Sequence, residues 1–238
     1  MSNLGPGRGT GQENPPDGGA PRPAGWLRDA EGPPYPPPPW RLVGDLYASI
    51  WLVPRATVPL LAADAIPATI AGRALVVTGW ALYAPSGVLA YREALCGVVL
   101  RAPRVPAIAI THIWVDHPAS IAGGRALWSI PKKAGRFSGT PETGAEVTDA
   151  QGQPIAALHI LPGRTLPWRQ GFSLRTVQRS LDAGGGAPVI ARLRATGRLG
   201  LARADWRFDA AGPLGFLHGL RPWLSARLER SVLRFGIG

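Results

Sequence analysis

Cysteine occurs once in the 238 residues, as Cys96, so no disulfide can form within the chain and a reducing, cytoplasmic setting is expected. Flanked by Leu95 and Gly97 in an apolar run, that thiol reads as a core residue. No stretch approaches 18 uninterrupted apolar residues, which argues against a helical membrane span. No apolar segment follows Met1, so no secretory signal is expected. The four histidines, His112, His117, His159 and His218, show no metal-ligand spacing backed by cysteine or acids, and no metal site is expected. His112 lies in an apolar strand and reads as a core residue rather than a base. There is no Gly-x-Ser-x-Gly elbow, and Cys96 has no histidine partner nearby in sequence, so serine or cysteine hydrolase chemistry is not expected. Acidic residues are also few, 15 against 26 lysines and arginines, for a net charge of +11. A positive field attracts anions. The arginines are spread along the chain, clustering modestly from Arg164 to Arg207, and no nucleic-acid motif accompanies them. The expected partner is a small anionic metabolite, not nucleic acid.

The sharpest shortage is lysine. The chain has two, Lys132 and Lys133, and they are adjacent; the other 24 of its 26 basic residues are arginine. Where only a positive charge is needed, this sequence uses arginine. A surviving lysine is therefore a candidate for chemistry that a permanently protonated guanidinium cannot do. A neutral amine attacks carbonyls. A free lysine titrates near ~10.4, so imine formation at neutral pH requires burial in an apolar pocket or a neighbouring cation. Trp128, Ile130 and Pro131 before the pair, with Ala134 and Gly135 after it, suit such a pocket. On a regular strand adjacent side chains point to opposite faces, so the two amines share a pocket only if the backbone turns. A solvated Lys-Lys pair is the alternative on residues alone.

Glycine and proline are plentiful, 31 and 26, and crowd the first 39 residues, where aliphatic side chains are scarce. Residues 1–39 are therefore expected to be a disordered tail, with Pro36 to Pro39 extended. Residues 40–238 form the domain. Strands are predicted over 42–53, 73–83, 88–101, 107–115, 135–139, 145–148, 154–161, 189–195, 199–208 and 231–236. Pro85-Ser86-Gly87 makes a turn, and Gly184-Gly185-Gly186 a loop without the strand and helix a phosphate cradle needs. Short helices are expected over 57–65 and 214–224. A third is expected from Pro118 to about Ala126, capped by Asp116. This spacing predicts a mainly β fold, an antiparallel sheet closed into a barrel or sandwich.

The order Asp116, Pro118 to Ser120, Gly124-Arg125, Trp128 and Pro131-Lys132-Lys133 resembles the signature of the acetoacetate decarboxylase family. Tyr91-Arg92-Glu93 matches the place of an active-site glutamate, and Pro34-Tyr35 resembles the Pro-Tyr that opens the family domain. The recognisable motifs cover roughly residues 34–160. The resemblance implies a cone-like β-barrel or double sheet with a few short helices and a lysine inside its cavity. Lys132 would be the Schiff-base lysine and Lys133 the neighbour that lowers its pKa, as in acetoacetate decarboxylase itself. Glu93 would be a pocket carboxylate, and Arg125, Arg41 and Trp128 are expected to contact substrate, Arg125 alternatively holding the helix that leads to the lysine. Three positions depart from the family pattern. Ala126 replaces the glutamate of Gly-Arg-Glu, no acid stands at Thr78-Gly79, and Trp40 occupies the place of an early arginine. The expected function is a lysine-imine lyase acting on a β-keto acid, without cofactor, in a homo-oligomer. Aldol or dehydratase chemistry through the same imine is an alternative, as is a non-catalytic barrel that binds a small ligand.

Overall fold

A computed structural model describes residues 25–29, 32–59, 61, 65–181 and 186–237. The alternating apolar runs become eleven strands of one sheet: β1 (Trp40–Pro54), β2 (Thr69–Ile70), β3 (Arg73–Tyr83), β4 (Tyr91–Leu100), β5 (Ala107–Val115), β6 (Lys132–Ala134), β7 (Arg136–Thr140), β8 (Gly144–Thr148), β9 (Pro154–Gln178), β10 (Val189–Phe208) and β11 (Leu224–Ile237). The α-helix α1 (Pro118–Trp128) links β5 to β6. The strands lie in the order β6-β5-β4-β3-β1-β11-β10-β9-β8-β7, with β2 beside β3. Every pairing is antiparallel except β5 with β6 and a two-residue contact of β5 with β9 at Ala107–Arg175 and Ile108–Thr176. That short contact draws the curled sheet together into a cone-like double sheet rather than a fully closed barrel.

Alternation along the strands gives the sheet two apolar faces. One gathers Trp51, Val53, Val76, Val98, Trp206 and Phe208 against Val147, Ile155 and Leu158. Two buried indoles there satisfy their N–H groups locally, Trp51 donating to Thr78 Oγ1 at 2.9 Å and Trp206 to Ser49 Oγ at 2.9 Å. The other face gathers Trp40, Leu42, Tyr91, Ile113, Trp128, Leu233 and Phe235. In β5 the pairing steps from Cys96–His112 to Gly97–Ile110, leaving Thr111 as the extra residue of a bulge. The bulge reverses the alternation, which puts Ile108 and Ile110 on the same lined interior as Ile113.

Several expectations change. Residues 1–24 and 182–185, with most of the tail and the triple-glycine loop, lie outside the described residues. The end of the supposed tail is packed: Tyr35 is buried, Leu27 bridges it, and Trp40 Nε1 donates to Pro36 O at 2.8 Å. Trp40 needs a cover, and this segment supplies it. The helix expected over 214–224 is a single 3-10 turn, Gly215–Leu217; of the described residues in 57–65, only Thr57 is helical, as the last residue of a 3-10 turn at Arg55–Thr57. The strands expected at 189–195 and 199–208 are one, because a bulge near Gly197 carries the chain through without a break. The cap of α1 is His117, whose Nδ1 accepts from the Ala119 N–H at 3.2 Å. Asp116 is instead held by Arg92 at 2.6 Å.

Candidate active site

Three local features converge on one amine. In β4, Tyr91, Glu93 and Leu95 project to the same face. In α1, Ser120 and Gly124 lie one turn apart on one side of the helix. The helix ends at Ser129 in a left-handed conformation (φ 51°), and the chain turns through Ile130 and Pro131 to run beside β5, with Lys132 paired to Ile113. Lys132 thus points inward at 4% exposure. Its Nζ donates to Glu93 Oε2 at 2.9 Å, to Ser120 Oγ at 2.8 Å and, at greater length, to Tyr91 OH at 3.4 Å. An ammonium has three donors, and all three are used. The Tyr91 hydroxyl donates in turn to Glu93 Oε2. Burial, reinforced by the charge of Glu93, holds the Tyr91 phenol well above its ordinary range, so it keeps its proton.

Gly124 makes this approach possible. A Cβ at Gly124 would stand 2.7 Å from Lys132 Cδ and 2.9 Å from Cε, below any ordinary carbon contact. Around the amine lies a cavity of about 250 Å³ walled largely by aliphatic and aromatic side chains. Trp128 lines it, edge-on to Trp40 at 4.8 Å and to Phe235 at 4.5 Å.

Lys132, Glu93 and Trp128 are brought together. Lys133 is not. It follows Lys132 on a strand, is exposed, and faces outward, where its charge joins burial in lowering the pKa of His112. The charge set beside the Lys132 amine is therefore the Glu93 carboxylate, not a second ammonium. Arg125 is exposed on the outer side of α1, and Arg41 is exposed with its guanidinium on Ser86 O at 3.0 Å. Neither reaches the cavity. Among the described residues, the only arginine at the cavity wall is Arg227, tied to Thr165 Oγ1 at 3.0 Å and Glu229 at 2.8 Å. Ser120 and Tyr91 also hold the amine, and both lie inside the motifs above, where no role was assigned to them. Their signal was spacing: Tyr91 two residues from Glu93 on a strand, Ser120 four residues from Gly124 on a helix. Cys96 is buried, which pushes its thiol up to about 12, and no three His, Cys, Asp or Glu side chains gather among the described residues as a metal site requires.

The sequence model of the family described as acetoacetate decarboxylase (ADC) matches residues 34–187. The chain belongs to that family. The match begins at the packed Pro34-Tyr35 segment and contains Glu93, Ser120, Gly124 and Lys132. Comparison with curated proteins finds no match. Among solved structures, acetoacetate decarboxylase from Legionella pneumophila is similar at 16% identity over 92% of this chain and 91% of that one, with a TM-score of 0.63. The enduracididine biosynthesis enzyme MppR complexed with pyruvate is 16% identical over 85% of this chain and 89% of that one, with a TM-score of 0.63. MppR has also been solved with the condensation product of pyruvate and imidazole 4-carboxaldehyde. An acetoacetate decarboxylase-like enzyme from Sphingomonas wittichii RW1 is 15% identical over 83% of this chain and 90% of that one, at a TM-score of 0.54. At these identities the likeness establishes a shared fold, and the family match places the chain among the acetoacetate decarboxylase-like enzymes. Among the described residues no helix is long and apolar enough to cross a membrane.

Proposed function

We propose that this family member is a carbon–carbon lyase working through an imine on Lys132, with a β-keto acid as substrate and decarboxylation as its reaction. The observation that carries the reading is a buried lysine amine hydrogen-bonded to a buried carboxylate at the head of an apolar cavity. Glu93 takes a proton from Nζ, and the neutral amine attacks the ketone carbon. The ketone oxygen leaves as water, giving an iminium. The bond to the carboxylate then breaks, its electron pair flows into the iminium, and CO2 departs from an enamine. The proton that Glu93 took leaves with that first water; Glu93 then relays one proton from solvent to the enamine carbon, and a second water hydrolyses the iminium to release the ketone and regenerate Lys132. Ser120 and Tyr91 hold the amine in place through the cycle.

The outward placement of Arg125 and Arg41 fits this chemistry. A carboxylate gripped by arginine would be stabilised most before the reaction, when its charge is full. Held by neither of these two arginines, in a largely apolar cavity, it gains by losing that charge as CO2. A second reading uses the same electron sink with a carbon electrophile in place of a proton. The condensation product held by MppR supports it.

Borohydride trapping with a panel of keto acids, read by peptide mass spectrometry, tests the proposal. The expected result is a reduced adduct on Lys132, absent in Lys132→Ala and retained in Lys133→Gln, with CO2 released from β-keto acids. An adduct without CO2 moves the assignment to aldol chemistry. A folded protein that traps no carbonyl overturns it.

A further inference from the structure

The cavity is polar at one end and apolar along its length. Lys132, Glu93 and Tyr91 occupy the head; Leu46, Leu95, Ile110, Leu193, Leu199 and Leu228 wall the remainder. Three residues of the lining carry a buried polar atom without a partner among the described residues, Trp80 at Nε1, Arg227 at Nε and Thr176 at Oγ1, and of these only the threonine hydroxyl can both donate and accept. Thr176 is 2% exposed, lines the cavity, and its Oγ1 has no hydrogen-bond partner among the described residues. A buried hydroxyl without a partner is unfavourable and uncommon, which makes it a marker of a missing ligand atom. Register fixes where it lies. Lys132 pairs with Ile113 and Thr176 with Ile108, both on the same edge of β5. Those two positions are roughly 15 Å apart at about 3.3 Å per residue. Phe172, on the same strand as Thr176 and partly exposed, borders the cavity where it meets solvent.

We infer that the substrate is an elongated carbonyl compound, uncharged along its body, whose far end carries a hydrogen-bonding oxygen that meets Thr176. A cavity of ~150 Å³ holds benzene, so one of about 250 Å³ takes on the order of ten non-hydrogen atoms, a body of about six to eight carbons between two oxygens. A four-carbon keto acid would leave the apolar wall and Thr176 unused. Arg227, also on the cavity wall, gives Nη2 to Thr165 and Glu229, while its buried Nε has no hydrogen-bond partner among the described residues. The identity of the reacting carbonyl rests on the imine reading above; the apolar body and its distal oxygen do not.

The test separates the two. Calorimetry with 1-alkanols and matching terminal diols of four to ten carbons needs no imine. Affinity of the alkanols is expected to rise about fourfold per methylene until the cavity is full. The diol of matching length gains about fivefold over its alkanol in the wild type. That gain is lost in Thr176→Val and kept in Thr176→Ser. Alkanol affinity that is flat with length, or equal loss of alkanol and diol binding in Thr176→Val, overturns the inference. The second arm is borohydride trapping of 3-oxo acids of increasing length. Chain-dependent alkanol binding with no trapped carbonyl upholds this inference and removes the imine reading. Efficient trapping of acetoacetate alone, without alkanol binding, does the reverse.

Discussion

Replacing Gly124 by alanine should separate folding from chemistry. The residue lies in the last part of α1, where alanine is favoured over glycine by about 1 kcal/mol. The added Cβ, however, falls 2.7 Å from Lys132 Cδ and 2.9 Å from Cε, while carbon atoms rest at about 3.5–4.0 Å. The lysine stem must therefore move by about 1 Å. Nζ is held at 2.8 Å from Ser120 and 2.9 Å from Glu93, so that shift breaks at least one of the two bonds. A hydrogen bond to a charged group contributes about 1.5–3 kcal/mol, which offsets the helix gain and leaves a net loss of about 1 kcal/mol. The chemical cost is larger, because misplacement by about 1 Å lowers rates about a hundredfold. Urea denaturation measures the first effect, and the single-turnover rate of borohydride trapping measures the second. Trapping at the wild-type rate in Gly124→Ala would refute the claim that this glycine exists to admit the lysine.

Two more outcomes follow from the same geometry. Glu93→Ala leaves the buried Lys132 without its counter-charge, and urea denaturation should show a loss of about 3 kcal/mol; a loss under about 1 kcal/mol would mean the pair is not formed in solution. His117 caps α1 as a neutral acceptor, and burial lowers its pKa despite the opposing charge of Asp116. Its folded pKa lies below its unfolded value, so the native state binds fewer protons, and stability is full above pH ~6.5 and declines as pH falls below it. Thermal melts from pH 7.5 to 5 should show that decline. His117→Asn, which caps without titrating, should make it shallower, the remainder coming from His112, whose pKa is also lowered.

Isolating Lys132 needed only composition: in a chain that spends arginine on every other positive charge, the lysine pair stands apart. The strand content was legible because period-two apolar alternation is a local property. Glu93 and Trp128 were found through motif spacing, which survives because both sit on regular elements, β4 and α1. The packed Pro34–Pro39 segment was misread, since its proline content is a local signal while the bare face of Trp40 that it covers is not. The fusion of two expected strands into β10 was hidden for a similar reason. Gly197 reads as a break unless the bulge it occupies is known.

Sequence by itself determined that one lysine pair was available for amine chemistry, that the fold is a sheet, and which family it belongs to, because residue type and spacing are written in one dimension. Tertiary structure alone decided what surrounds that amine. Strand alternation after Pro131 sent Lys133 outward, and β4 carried Glu93 across from 39 residues away, so a carboxylate rather than a second cation stands beside Nζ. The bulge at Thr111 and the two-residue contact between β5 and β9 turned Ile108, Ile110 and Thr176 toward the same cavity. Which side chains share an interior depends on register and curl. Those are set by pairing between distant strands, where a slip of one residue turns every side chain to the other face.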